Sequence, residues 1–194
     1  AGGLTPPRAA PGGGGGGPPP LLAPRSSFAA AAANGTVVVL GPDNSASRYS
    51  PGAANAWAAL PNMTTPRQSL AAAALHGTTV FALGGCADPY CNTVLASVEA
   101  LDLAAAPGAP LAAWTRFPSM TTPRFDHAAA VLRGLIYAAG GVDKNGNPLA
   151  SVERFDGGAH SAWATVPANM TTPRSSFALV LSLIHISEPT RRYA

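Results

Sequence analysis

The chain has 194 residues, of which 11% are charged, and a net charge of +3. Charge this sparse does not make the clustered basic face that a nucleic-acid site needs, and the length is enough for one ordinary core. No run of 18 or more apolar residues occurs, so no membrane-spanning segment is expected.

Residues 1–23 are nearly all Gly, Pro and Ala, with a run from Gly12 to Gly17 followed by Pro18 to Pro20. Such a segment cannot bury enough apolar area to offset its conformational entropy, and it is expected to be disordered. A first unit then spans about 24–63. Phe28 opens an alanine-rich run, Asn34-Gly35 makes a turn, and residues 36–40 are apolar and closed by Gly41-Pro42. Ser47-Arg48-Tyr49 and Trp57 follow. Short apolar runs bounded by Gly, Asn, Asp and Pro are strand and turn signals. Four short strands, a to d, are therefore expected per unit.

The second unit, 64–120, repeats this order. Residues 68–75 form strand a and 78–83 strand b, which ends at Gly84-Gly85. The loop after it carries both cysteines, Cys86 and Cys91. Strand c covers 97–102 and includes Glu99, and Trp114 marks strand d. Two cysteines make no framework, so free thiols are favoured over a local disulfide. Without a nearby His they make no zinc site either.

The third unit, 121–170, is the best formed. Its strands are 125–132, 135–139, 151–156 and 162–167, with Gly140-Gly141 closing strand b, Glu153 in strand c and Trp163 in strand d. A fourth unit starts at 171–181. Residues 182–194 do not continue it; they resemble a translated sequencing adapter and are expected to be non-native or disordered.

One phrase, Met-Thr-Thr-Pro-Arg, links the units at 63–67, 120–124 and 170–174. The intervals between its methionines are unequal, so a constant unit carries loops of variable length. The glycine pairs suit a strand end that passes close to another backbone, and no helix signal follows them, which removes a phosphate-loop reading. Trp57, Trp114 and Trp163 recur in every unit, as core residues do. Glu99 and Glu153 fall in different units, so each is read as a buried carboxylate paired with an arginine rather than as half of an acid–base couple. Arg25, Arg67, Arg124 and Arg174 each follow a proline before strand a. Two readings stay open for them: a basic rim that binds an acidic or phosphorylated segment, or a bridge between units to the strand-c glutamate. His127 does not repeat and is expected to be satisfied by hydrogen bonds.

The Gly-Gly pair, the Ser-Val-Glu-x-aromatic stretch and the spaced Trp together resemble the kelch repeat. That resemblance implies an all-β fold of four-stranded antiparallel β-propeller blades, strand a innermost, with d–a and b–c loops sharing one face. Residues 24–181 would make three blades and one strand, an incomplete propeller against the usual four to eight blades. The function implied is a non-catalytic interaction module that binds a partner protein through that face, without cofactor or metal, with a cytoplasmic location favoured. The alternative is part of a kelch-propeller enzyme, a copper oxidase or a lyase-like protein. Copper chemistry of that kind would draw on Cys86, Tyr90 and Cys91, which lie together but lack matching His ligands.

Overall fold

The computed structural model describes residues 26–52, 56–104 and 113–179. The expectations for residues 1–23 and 182–194, and for Arg25, lie outside the described residues. Three hairpin turns begin the blades: Asn34-Gly35, His76-Gly77 and Arg133-Gly134, in each of which both residues have positive φ. Two consecutive left-handed residues make the type I′ turn, whose twist matches that of the strands it joins.

Blade I consists of β1 (Ala29–Ala33), β2 (Thr36–Leu40), β3 (Ala46–Tyr49) and β4 (Trp57–Leu60). Blade II consists of β5 (Ala71–Leu75), β6 (Thr79–Leu83), β7 (Val98–Asp102) and β8 (Thr115–Phe117). Blade III consists of β9 (Ala128–Leu132), β10 (Leu135–Ala139), β11 (Val152–Phe155) and β12 (Ala164–Thr165). Each blade is a four-stranded sheet with neighbours in chain order, and every pairing is antiparallel. This is an all-β, incomplete propeller. Residues 171–179 of the fourth unit contain no strand.

The innermost strands begin three residues later than the sequence suggests, at Ala71 rather than 68 and at Ala128 rather than 125. Ser69 and Asp126 each hold φ at 50°, and a left-handed residue interrupts the pleat. Ser27 and Ser176 take the same conformation at the matching place. The alanine runs belong to these inner strands. Ala31, Ala72, Ala73, Ala129, Ala130 and Val131 line a central cavity of about 640 Å³. Small side chains let three inner strands approach one axis without filling it.

Larger residues pack between blades. Val38 and Leu40 of blade I meet Val80, Leu101 and Trp114 of blade II in one cluster. Phe81 and Val98 of blade II meet Ile136, Phe155 and Trp163 of blade III in a second. Each blade therefore buries its faces only against neighbours, as stacked repeats do.

Candidate functional site: the connector face

Arg67 precedes β5 and turns back across its own blade. Its Nη1 donates to the carbonyls of Gly84 at 2.9 Å and Ser97 at 2.8 Å. Its Nη2 donates to Ser97 Oγ at 2.9 Å and to Glu99 Oε1 at 2.8 Å. Arg124 repeats the pattern in blade III, reaching Gly140 O at 2.8 Å, Ser151 O and Oγ at 3.1 Å each, and Glu153 Oε1 at 2.7 Å. Both arginine side chains are 0% exposed and both glutamates 1%.

These positions correct two expectations. Arg67 and Arg124 do not form a rim, because their guanidinium forks are consumed inside the blade. The bridge also runs within one blade, from the lead-in of strand a to strand c, and not between blades. The reason is the fork itself: four donor–acceptor contacts engage both terminal nitrogens of the buried guanidinium, as one carboxylate alone would not, and leave only Nε without a partner. Arg174 is exposed, and no fourth strand-c glutamate lies among the described residues.

The glutamates explain the repeated phrase. Glu99 Oε2 accepts from both the backbone N–H and the hydroxyl of Thr64, each at 2.7 Å. Glu153 Oε2 accepts from Thr121 N at 2.6 Å, and its Oε1 from Thr122 N at 3.1 Å. Met63 and Met120 are buried behind these threonines. Met-Thr-Thr-Pro-Arg is thus a carboxylate cradle that ties each blade to the connector entering it. Burial pushes the two carboxyls up, but the hydrogen bonds from Arg67 and Thr64, and from Thr121 and Arg124, outweigh it and hold both below the usual range. In blade I the equivalent residue is the buried Ser47.

The glycine pairs seat the next blade. Gly85 N donates to Arg124 O at 2.9 Å, and Gly141 N to Arg174 O at 2.7 Å. A Cβ on Gly84 would lie 2.6 Å from Arg124 O, and one on Gly140 would lie 2.5 Å from Arg174 O. Trp114 and Trp163 lock the opposite flank. Their indole N–H groups donate to the carbonyls of Pro61 and Pro118, in the preceding connectors, at 2.8 and 2.9 Å. Trp57 is half-buried and tilts against Tyr49 at 5.3 Å.

His127 departs from expectation. It lies three residues after Arg124, as Leu70 does after Arg67, and both are 6% exposed. Neither ring nitrogen has a hydrogen-bond partner. Burial, with the Arg124 charge beside it, pushes its pKa down to about 3. A histidine has taken a hydrophobic position.

The b–c loops carry a device that the sequence reading missed. Asp88 accepts from the backbone N–H groups of Tyr90, Asn92 and Thr93. Asp143 likewise accepts from those of Asn145 and Asn147. In both loops the asparagine four residues on returns a side-chain bond to the aspartate. The signal was legible: Asp-x-x-x-Asn occurs in both loops two residues or three after the glycine pair. Cys86 and Cys91 form a disulfide, which corrects the free-thiol expectation; the loop folds back so that their Cα atoms lie 4.9 Å apart. At the tip, Tyr90 is 86% exposed. Among the described residues, no group of three or more His, Cys, Asp or Glu is placed to hold a metal ion.

Meandering four-stranded blades around a shared axis, sealed by glycine pairs and tryptophans, define a kelch-type propeller. The Kelch motif matches residues 123–156, which cover most of blade III. Blades I and II repeat the strand order of the matched unit. Among solved structures it is similar to one described as the structure of YjhT, with a TM-score of 0.66 and 17% identity, covering 81% of this chain and 55% of that one. It is also similar to a fungal alcohol oxidase of the AA5 family in complex with copper, with a TM-score of 0.58 and 20% identity, covering 73% of this chain and 31% of that one. The chain thus spans about half of the first structure and a third of the second, and at these identities the likeness is one of fold. No curated protein matches the chain in sequence.

Proposed function

We propose that this chain is a non-catalytic interaction module that binds a partner protein through its d–a and b–c loop face. The observation that carries the reading is Tyr90. An aromatic side chain 86% exposed is held at the tip of a six-residue loop by a disulfide and by the Asp88 hydrogen bonds. A large side chain fixed before binding loses little entropy on contact, and tyrosine is among the residues that dominate binding energies. The neighbouring Asp143 loop and the clamped connectors give the face a fixed shape, and loops on a rigid scaffold commonly carry recognition.

The partner is a protein with an acidic or phosphorylated segment. Its recognition does not run through Arg67 or Arg124, whose forks are occupied. The test is affinity capture, identification of the partner and a binding measurement with purified components. Tyr90→Ser should weaken binding by at least about tenfold. Substitution of Arg133, at the a–b turn on the other face, should leave it unchanged. Equal affinity for the Tyr90→Ser variant would sink this reading.

A further inference from the structure

We propose that blade II carries an oxyanion site of the phosphate type, centred on Arg116. Arg116 stands on β8 directly opposite Glu99 on β7, and residues so paired project from the same side of the sheet. It is exposed and forms no ion pair among the described residues. Glu99 does not neutralise it, because one carboxylate oxygen is held by Arg67 and the other by Thr64. Two guanidinium groups therefore face a single, fully engaged carboxylate.

A cavity of about 300 Å³ opens between them, lined among others by Thr65, Arg67, Ser97, Glu99, Arg116 and Ser119. Arg67 is 0% exposed, so it adds charge behind the wall and makes no contact with an occupant; its Nε is unpartnered, as is that of Arg124 in blade III. Ser97 Oγ accepts from Arg67 and keeps its own proton to donate. Thr65 and Ser119 add two further hydroxyls. Glu99 is the only acid on the wall, so the local charge is positive.

Several donors of different direction around an unbalanced charge suit a tetrahedral dianion better than a planar carboxylate. The site is particular to this blade: Ala59 and Thr165 stand where blade II has Arg116. It lies where strand c begins and strand d ends, on the face proposed for recognition. A phosphorylated side chain of the partner would bring such a group, so the inference deepens that reading and rests on it for its biological ligand.

The experiment is a backbone-amide NMR titration of the chain with inorganic phosphate, set against acetate at equal ionic strength. Phosphate should give saturable shifts around residues 64–65, 97 and 115–119, and acetate should not. Arg116→Ala should weaken phosphate binding by at least about tenfold, and Arg116→Lys by less, since the charge stays but the fork is lost. Arg154→Ala, which removes an exposed arginine from β11 of blade III, should change it by less than about twofold. The proposal is overturned by an unsaturable response, by equal saturation with acetate, or by equal losses in the Arg116→Ala and Arg154→Ala variants. The titration needs no partner protein. Phosphate binding without any partner would count against the recognition reading alone, and partner binding indifferent to Arg116→Ala would count against this site alone.

Discussion

Arg67 Nη2 lies 2.8 Å from Glu99 Oε1, and neither side chain is more than 1% exposed. A buried pair of this kind costs little while both partners stand and a great deal when one is removed. Arg67→Ala should therefore lower the unfolding free energy by about 3–5 kcal/mol, because Glu99 keeps its charge in a buried place. Arg67→Lys should recover only part of this, since a single ammonium cannot reach Gly84, Ser97 and Glu99 together. Urea denaturation followed by tryptophan fluorescence measures both; an unchanged midpoint for Arg67→Ala would show that the clamp contributes nothing.

Acid should act on two kinds of group. His127 is held at about 3 in the folded chain against an ordinary 6.5, so the unfolded chain binds its proton first. Stability from its neutral form is present above about 6.5 and is lost as pH falls toward 3. Glu99 and Glu153 have depressed folded values, so their contribution is present above their ordinary value and lost as pH drops below it. His127→Leu copies Leu70 and removes two unpartnered nitrogens. It should stabilise the chain by about 1–2 kcal/mol near neutral pH and flatten only the His127 part of the acid profile. Thermal melts across the acid range measure both effects; a lower midpoint for the variant would mean that the ring has a partner in solution.

Two glycines of blade II separate two costs. Gly77 and Gly85 both have positive φ, at 77° and 88°, yet a Cβ on Gly77 meets nothing within 4 Å while one on Gly85 lies 2.5 Å from Gln68 O. Gly77→Ala should cost about 1 kcal/mol, from backbone strain alone. Gly85→Ala should cost at least about 2 kcal/mol more, because a backbone oxygen cannot step aside. Comparable losses in the two variants would contradict the close approach.

Cys86 and Cys91 should not react with an alkylating reagent until a reductant is added, as intact-mass spectrometry will show. Cys91→Ser should leave the blade cores intact and weaken partner binding, since it loosens the support under Tyr90. Immediate labelling of both thiols would remove the stapled loop, and with it the preorganised part of the proposed binding face.

The blade was largely legible before any coordinates. Strand b of the third unit, residues 135–139, coincides with β10, and the glycine pairs, Glu99, Glu153 and the tryptophans occupy matching places in successive blades. The connector was read less well. Its arginines were left with a choice between an exposed rim and a bridge between blades to the strand-c glutamate; the glutamate is the partner, but the bridge closes within one blade. The Asp88 and Asp143 loops repeated in plain sight, but the longer second loop hid their correspondence.

The sequence by itself determined the repeating unit, because turn residues and short apolar runs are local and survive in any context. The kelch resemblance then placed Met-Thr-Thr-Pro-Arg between outer and inner strands. Only the tertiary structure decided where Arg67 points, that His127 is entombed without a partner, and that Cys86 meets Cys91. Those outcomes depend on which distant groups share a buried volume, Arg67 with Ser97 and Glu99 above all, and no residue carries that information alone.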